Sequence, residues 1–389
     1  MSKLDELIQQ YCPDGVGCRK LEDCCNILDK KRKPVTKAAR VAGKYPYYGA
    51  NGIQDYVSSY LFDGTYVLVG EDGSVITKAG TPVVTWAEGK IWVNNHAHII
   101  EEKEGVLLRY LFHYIQTIDV TPLIHGNIPK LTGGDFRALQ IAVPPLPVQH
   151  EIVRILDNFT ELTAELTAEL TARKKQYEYY RDSILPFGAA KKYLLGDVAT
   201  IMRGASPRPI KSFITESENG VNWIKIGDAK ADSKYISETK ERITEDGARK
   251  SRHVKPGDFI LSNSMSFGRP YILKISGCIH DGWLSISAFE DKLSPDFLYH
   301  VLTSTYMQSL MRKKASFGGA VQNLNADIVR ELEIPIPPLA EQERIAHILD
   351  YFDTLCNDLT SGLPAEIEAR QKQYEYYRDK LLSFKEASV

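Results

Sequence analysis

Short apolar runs broken by Gly, Asn and Asp fill the first third of the chain. Tyr66-Val67-Leu68-Val69, Val83-Val84-Thr85-Trp86, Ile91-Trp92-Val93 and His98-Ile99-Ile100 are such runs, and apolar segments bounded by turn formers predict strands. At 105–117 the period changes. Val106, Leu107, Tyr110, Leu111, Tyr114 and Ile115 fall on one face of a helix, with a counterpart at 296–302. Leu21-Glu22-Asp23-Cys24-Cys25-Asn26-Ile27 resembles Leu195-Gly196-Asp197-Val198-Ala199-Thr200-Ile201. Each half is therefore expected to open with a related strand, in which Cys24 and Cys25 are small buried hydrophobes.

From residue 126 the pattern occurs twice. Gly126, Leu131, Leu139, Ile141, Pro144-Pro145-Leu146, Gln149, Ile152, Ile155-Leu156-Asp157 and Phe159 recur 193 positions on, from Gly319 to Phe352. Residues 172–182, Ala-Arg-Lys-Lys-Gln-Tyr-Glu-Tyr-Tyr-Arg-Asp, recur 197 positions on at 369–379 with the single change Lys174/Gln371. A solenoid repeat is about 20–50 residues long, so these are two domain-sized halves. The proline pair ends a strand and a helix starts just after it.

The four-residue difference between the offsets falls inside that helix, where 160–172 repeats Thr-Ala-Glu-Leu. The first stripe is Phe159, Leu162, Leu166, Leu170 and Tyr177; the second is Phe352, Leu355, Leu359, Leu363, Ile367 and Tyr374, one turn longer. Gly362-Leu363-Pro364 predicts a break or kink in the second. A helix of about 35–38 residues spans roughly 55 Å, and its apolar stripe requires a partner helix. The expected fold is two duplicated α/β (α+β) domains separated by two long antiparallel, coiled-coil-like helices about a pseudo-twofold axis. The expected boundaries are 1–145, 146–187, 188–338 and 339–389.

Composition changes little in this picture. Hydrophobic residues make up 43% and charged residues 25%, which fits a globular chain and argues against disorder. No apolar run is long enough to span a bilayer and the first residues lack a signal sequence, so a cytoplasmic location is expected. Six cysteines without a Cys-x-x-Cys pair give no metal or disulfide framework. The net charge of −2 makes no global case for nucleic acid. Residues 30–44, however, carry Lys30, Lys31, Arg32, Lys33, Lys37, Arg40 and Lys44 and no acid, a run that is either a solvated loop or a phosphate contact.

No catalytic constellation emerges. A phosphate loop, a dinucleotide fingerprint and an Asn-Pro-Pro-Tyr-type methyltransferase run are all absent from the sequence. His96 and His98 would share one side of a strand but lack a third ligand in sequence, and Glu88-Gly89-Lys90 is expected in a hairpin turn. What remains is binding chemistry, since Arg, Lys, Asn and Ser contact phosphates and base edges. The candidate DNA-binding residues are Lys31, Arg32, Lys33, Lys37, Asn51, Asn127 and Lys130 in the first half. In the second they are Arg203, Ser206, Arg208, Asn263, Ser264, Ser266, Arg269, Lys313, Lys314 and Ser316. The repeated helix end, Tyr177, Tyr179, Tyr180 and Arg181 with Tyr374, Tyr376, Tyr377 and Arg378, has the aromatic–arginine composition of a protein interface.

Taken together, Pro-Pro-Leu-x-x-Gln-x-x-Ile-x-x-Ile-Leu-Asp at 144–157 and 337–350, the Thr-Ala-Glu-Leu repeats and the duplicated Gln-Tyr-Glu-Tyr-Tyr-Arg-Asp resemble the specificity (S) subunit of Type I restriction–modification enzymes. Tyr47-Tyr48-Gly49-Ala50-Asn51-Gly52-Ile53 with Val93-Asn94-Asn95-His96-Ala97 resembles that family's target recognition domains. The resemblance covers nearly the whole chain. It implies a non-catalytic DNA-recognition subunit in which each domain reads half of a bipartite duplex site. The helices would set the spacer through Leu162, Leu166, Leu170, Leu355, Leu359 and Ile367 and dock two methyltransferase subunits, which bring in the restriction subunits. S-adenosylmethionine, ATP and Mg would belong to those partners, with no cofactor or metal on this chain. The alternatives are a protein-binding adaptor and an enzyme that itself modifies or cleaves DNA.

Overall fold

The computed structural model describes residues 2–73, 75–230, 233–263, 267–315, 323–357 and 361–387. They form two compact units, one of residues 1–165 with 368–389 and the other of residues 166–367. The first unit is thus assembled from two separate stretches of chain. The amide of Val16 donates to the carbonyl of Lys385, and that of Ala387 to the carbonyl of Val16.

A six-stranded sheet organises the first unit, in the order Asn26–Ile27, Ala97–Glu101, Phe62–Gly70, Val84–Val93, Ala42–Gly49 and Gly52–Val57. Both faces are covered, which explains the unbroken apolar run 66–69. Val67, Val69 and Ile100 pack with the helix α1 (Leu108–Ile115) on one side, and Leu68, Ile91, Val93 and Ile99 form a core on the other. The runs 83–86 and 91–93 belong to one strand, not two. Gly89, at φ +75, carries the strand through, opposite Gly64. Glu88-Gly89-Lys90 therefore lies within a strand and not in a hairpin turn; Glu88 accepts from the Trp86 indole at 2.7 Å and Lys90 faces Asp63 at 4.0 Å.

The expected opening strands are one-turn helices, Leu21–Cys24 and Leu195–Val198, each leading into a strand. Their first amides donate to the carbonyls of Leu139 and Leu332, which docks each turn against the strand preceding the proline pair. Cys24 and Cys25 are buried as expected, and their thiols donate to the carbonyls of Lys20 and Leu21, four residues back, as a helical turn allows.

In the second unit Lys192–Leu194 pairs separately with Glu333–Pro335, and most strands fall in two five-stranded sheets. One runs Thr200–Arg203, Trp283–Ser287, Phe259–Ser262, Pro270–Leu273 and Tyr235–Ile236; the other has Val221–Ile224 at its centre, flanked by Glu241–Ile243 and Gly277–Ile279. The first packs against helix α3 (Pro295–Thr303) through Phe259, Leu261, Ile272, Leu284 and Ile286.

Three more helices follow the duplicated motifs: α2 (Leu146–Ile184), α4 (Leu339–Asn357) and α5 (Leu363–Leu381). As expected, both helices after a proline pair start there. Pro145 accepts from Val148 and Gln149, and Pro338 from Glu341 and Gln342. The second long helix is two helices. The carbonyl of Gly362 accepts from Ala365 and Glu366, which puts Pro364 in the first turn of α5, where a missing N–H costs little. Leu162, Leu166, Leu170, Leu355 and Ile367 are all half-buried; Leu359 lies outside the described residues. Thr163 and Thr171 turn their hydroxyls onto carbonyls four residues back, so the repeat keeps its threonines satisfied within the helix.

Candidate nucleic-acid interface and the duplicated helix clamp

One buried network occurs in each unit. In the first, His113 of α1 places Nε2 2.9 Å from Asp157 Oδ1 and Nδ1 2.9 Å from the Tyr374 hydroxyl. The carboxylate can only accept, so Nε2 carries the hydrogen and Nδ1 accepts from Tyr374. Arg109 Nε donates to the same Asp157 oxygen at 2.7 Å. In the second unit, His300 of α3 faces Asp350 at 2.8 Å and Tyr177 at 3.1 Å. There Lys234 supplies the cation, 2.6 Å from Asp350.

Burial holds both imidazoles below the ordinary histidine pKa, although the facing carboxylate pulls the other way. Burial pushes Asp157 and Asp350 up, but the histidine hydrogen bonds and the cations outweigh it and leave both low. The Tyr374 phenol is pushed up to about 12 by burial. Each clamp is therefore a neutral histidine between an ionised aspartate and a protonated tyrosine.

The other repeated residues surround this clamp. Gln149 accepts from Leu107 N–H at 2.9 Å and donates to the carbonyls of Gly105 and Pro144. Gln342 does the same with Ser294, Lys292 and Pro337. Phe159 stacks on Tyr377 at 5.3 Å, and Phe352 on Tyr180 at 5.8 Å. This narrows the repeated helix end that the sequence offered as a protein interface. Tyr177, Tyr374 and Arg181 are buried; Arg181 lies over Tyr177 and Arg378 over Tyr374. Tyr180 and Tyr377 each have one face covered. Tyr179 and Tyr376, 69% and 61% exposed, are the open members.

Among the loops of the first unit, Lys31, Lys33, Lys37, Asn51, Asn127 and Lys130 are exposed. Arg32 is not. Its Nη1 lies 2.6 Å from Glu71 Oε2 and 2.6 Å from the carbonyl of Ala97, with Asp29 3.6 Å from Nη2, so it is a structural cation rather than a free phosphate contact. His98 does gather carboxylates, since the ligand-type atoms of Asp29, Glu71 and His98 lie within 4.8 Å of one another. Arg32 and Lys130, 3.4 Å from Glu71, already balance their charge. His96 does not share the side of His98. It sits in the turn before the strand, half-exposed, with its ring against Asp72.

In the second unit the structure brings Arg203, Ser206 and Asn263 together around a residue that sequence reasoning missed. Ser206 Oγ donates to Asp281 Oδ1 at 2.6 Å, while Arg203 Nε and Asn263 Nδ2 donate to the Asp281 carbonyl at 3.2 and 3.1 Å. His280 Nε2 lies 3.0 Å from the same carboxylate oxygen. The Ser206 hydroxyl is the main cause holding the Asp281 pKa below its usual range. Asn263 is buried, Arg208 is exposed and Arg269 is half-buried over Tyr271. Lys313 is exposed and Lys314 pairs with Glu331 at 3.1 Å. Ser264, Ser266 and Ser316 lie outside the described residues. Asp281 is far in sequence from Arg203 and Ser206; the one local cue is a His-Asp-Gly turn between two apolar runs.

A family model described as Type I restriction modification DNA specificity domain matches the chain twice, over residues 13–173 and 190–369. A homologue of type I specificity subunits from Haemophilus influenzae is 39% identical over 382 residues, covering 95% of this chain and 96% of that protein. The EcoR124I/EcoR124II specificity subunit of Escherichia coli is 35% identical over 294 residues, 72% of this chain and 71% of that one. The fold matches a chain of a type I restriction–modification system with TM-score 0.61 at 16% identity, covering 95% and 98% of the two chains. It also matches the S subunit from M. genitalium with TM-score 0.56 at 14% identity, covering 94% and 95%.

Proposed function

Because this chain belongs to the family of Type I restriction–modification DNA specificity subunits, we propose that each unit reads one half of a bipartite duplex target. The helices set the distance between the half-sites and carry the docking surfaces for two methyltransferase subunits, through which restriction subunits join. The specificity subunit is the non-catalytic member of such systems. In this reading S-adenosylmethionine, ATP and Mg act on partner chains.

One observation supports the reading above the rest: what is duplicated and what is not. Gln149/Gln342, Asp157/Asp350 and Tyr177/Tyr374 repeat at the helix side of each unit, whereas the loops 94–96 and 280–282 differ, Asn-Asn-His against His-Asp-Gly. A shared helix side suits two copies of one partner, and divergent loops suit two different half-sites. The exposed lysines of 30–44 supply sequence-independent phosphate contact. Since the whole chain is slightly acidic, the partners contribute part of it.

The test is to express the chain with a cognate methyltransferase subunit and map every methylated motif in the host genome. A bipartite motif with a fixed spacer is expected. Methylation confined to a single continuous motif, or none at all, would sink the proposal.

A further inference from the structure

In the second unit the turn His280-Asp281-Gly282 is held from three directions. Arg203 and Asn263 donate to the Asp281 carbonyl, Asn263 N–H donates to the carbonyl of Gly282, and Ser206 occupies Asp281 Oδ1. The segment carrying Ser206 lies directly on the turn. A Cβ on Gly204 would stand 2.1 Å from the His280 carbonyl oxygen, so only glycine permits this approach. The backbone of Asp281 is fixed, and one carboxylate oxygen is spoken for. The other, Oδ2, has no hydrogen-bond partner among the described residues, and the side chain is 34% exposed.

A carboxylate at this place is poor at meeting phosphates, which repel it, yet the exposed Arg203 stands beside it, its Nε 3.2 Å from the Asp281 carbonyl. A fixed acceptor with an arginine beside it suits one kind of nucleic-acid contact: an amino group on a base edge, with the arginine meeting a flanking phosphate. The first unit has a similar arrangement at the corresponding place. Its turn 94–96, between the strands ending at Val93 and beginning at Ala97, sets His96 against the carboxylate of Asp72.

We infer that Asp281 is a base-reading residue of the second unit, its free carboxylate oxygen accepting from the exocyclic amino group of cytosine or adenine in the major groove. This rests on the DNA-reading function above. Ser206 fixes which oxygen is free, and Arg203 and Asn263 fix where it points.

Asp281→Asn tests it. The side-chain oxygen must stay on the Ser206 hydroxyl, so the amide NH2 takes the reading position and turns an acceptor into a donor. With the methyltransferase subunit present, D281N should lose its preference by roughly tenfold to a hundredfold at one base pair of one half-site. That position should shift toward an acceptor base, with the other half-site and the spacer unchanged. Asp281→Ala should relax the same position without a new preference. Both variants methylating the unaltered wild-type motif would overturn the assignment, as would an equal loss at every position of the motif. Failure of the wild-type chain to direct methylation to any bipartite motif is a distinct result, and it would overturn the underlying reading instead.

Discussion

The hydroxyl of Tyr374 donates to Nδ1 of His113 across 2.9 Å, joining residues 261 positions apart in sequence. Tyr177 and His300 repeat the bond at 3.1 Å. Removing either hydroxyl leaves a buried imidazole nitrogen unpaired, which costs about 1–3 kcal/mol. Tyr374→Phe should loosen only the first unit and Tyr177→Phe only the second. Hydrogen exchange would show this as faster opening of α1 or of α3, and uniform acceleration across both units would contradict it.

The clamps also predict a pH dependence. In the unfolded chain the two histidines titrate near 6.5 and the two aspartates near 3.8, and all four lie lower when folded. Acid therefore favours the unfolded state, which binds more protons. The melting temperature should begin to fall as pH drops through 6.5, and fall further below 3.8. His113→Gln combined with His300→Gln should flatten the first part of that decline while leaving the second.

Tyr179 and Tyr376 stand open on their helices and make no contribution to either core. Replacing both with Ala should weaken binding of the methyltransferase subunit by roughly 30-fold, about 2 kcal/mol, with melting unchanged. Calorimetric titration against the isolated partner measures this. Unaltered affinity would remove these tyrosines from the interface.

Lys31, Lys33 and Lys37 are exposed members of the basic run. Changing them to Ala should make the slope of log affinity against log salt shallower by about 0.9 for each lysine that meets a phosphate. Sequence preference should persist, and a changed target motif would mean that these lysines read bases.

One Thr-Ala-Glu-Leu unit adds about 6 Å of helix. Deleting Thr163–Leu166 should shorten the unspecified spacer of the methylated motif while both half-sites stay as they were. A motif with altered half-sites and an unchanged spacer would argue against the helices as a ruler.

Much of this was legible from the residues because duplication exposes what the helix side requires. Gln149, Asp157 and Tyr177 stand out once Gln342, Asp350 and Tyr374 are seen to repeat them. Their partners were not legible. His113 and His300 are buried polar residues on largely apolar helices, and nothing local says that a tyrosine from a distant helix faces them. Arg32 looked like its neighbouring lysines, since a run of like charges does not reveal which member turns inward to Glu71. Asp281 was hidden because its setting is built from loops far apart in sequence. Glu88-Gly89-Lys90 misled because glycine marks turns more often than it carries a strand onward.

The first unit needs residues 368–387 beside residues 2–165, and Val16 pairs with Lys385 and Ala387. The second is a continuous stretch. During synthesis, then, the unit whose first stretch emerges before the other is finished after it. His113 waits for Tyr374, 261 residues further along the chain, while His300 and Tyr177 can already meet. Until residues 368–387 emerge, the first unit is an incomplete, exposed intermediate, and chaperone dependence should concentrate there.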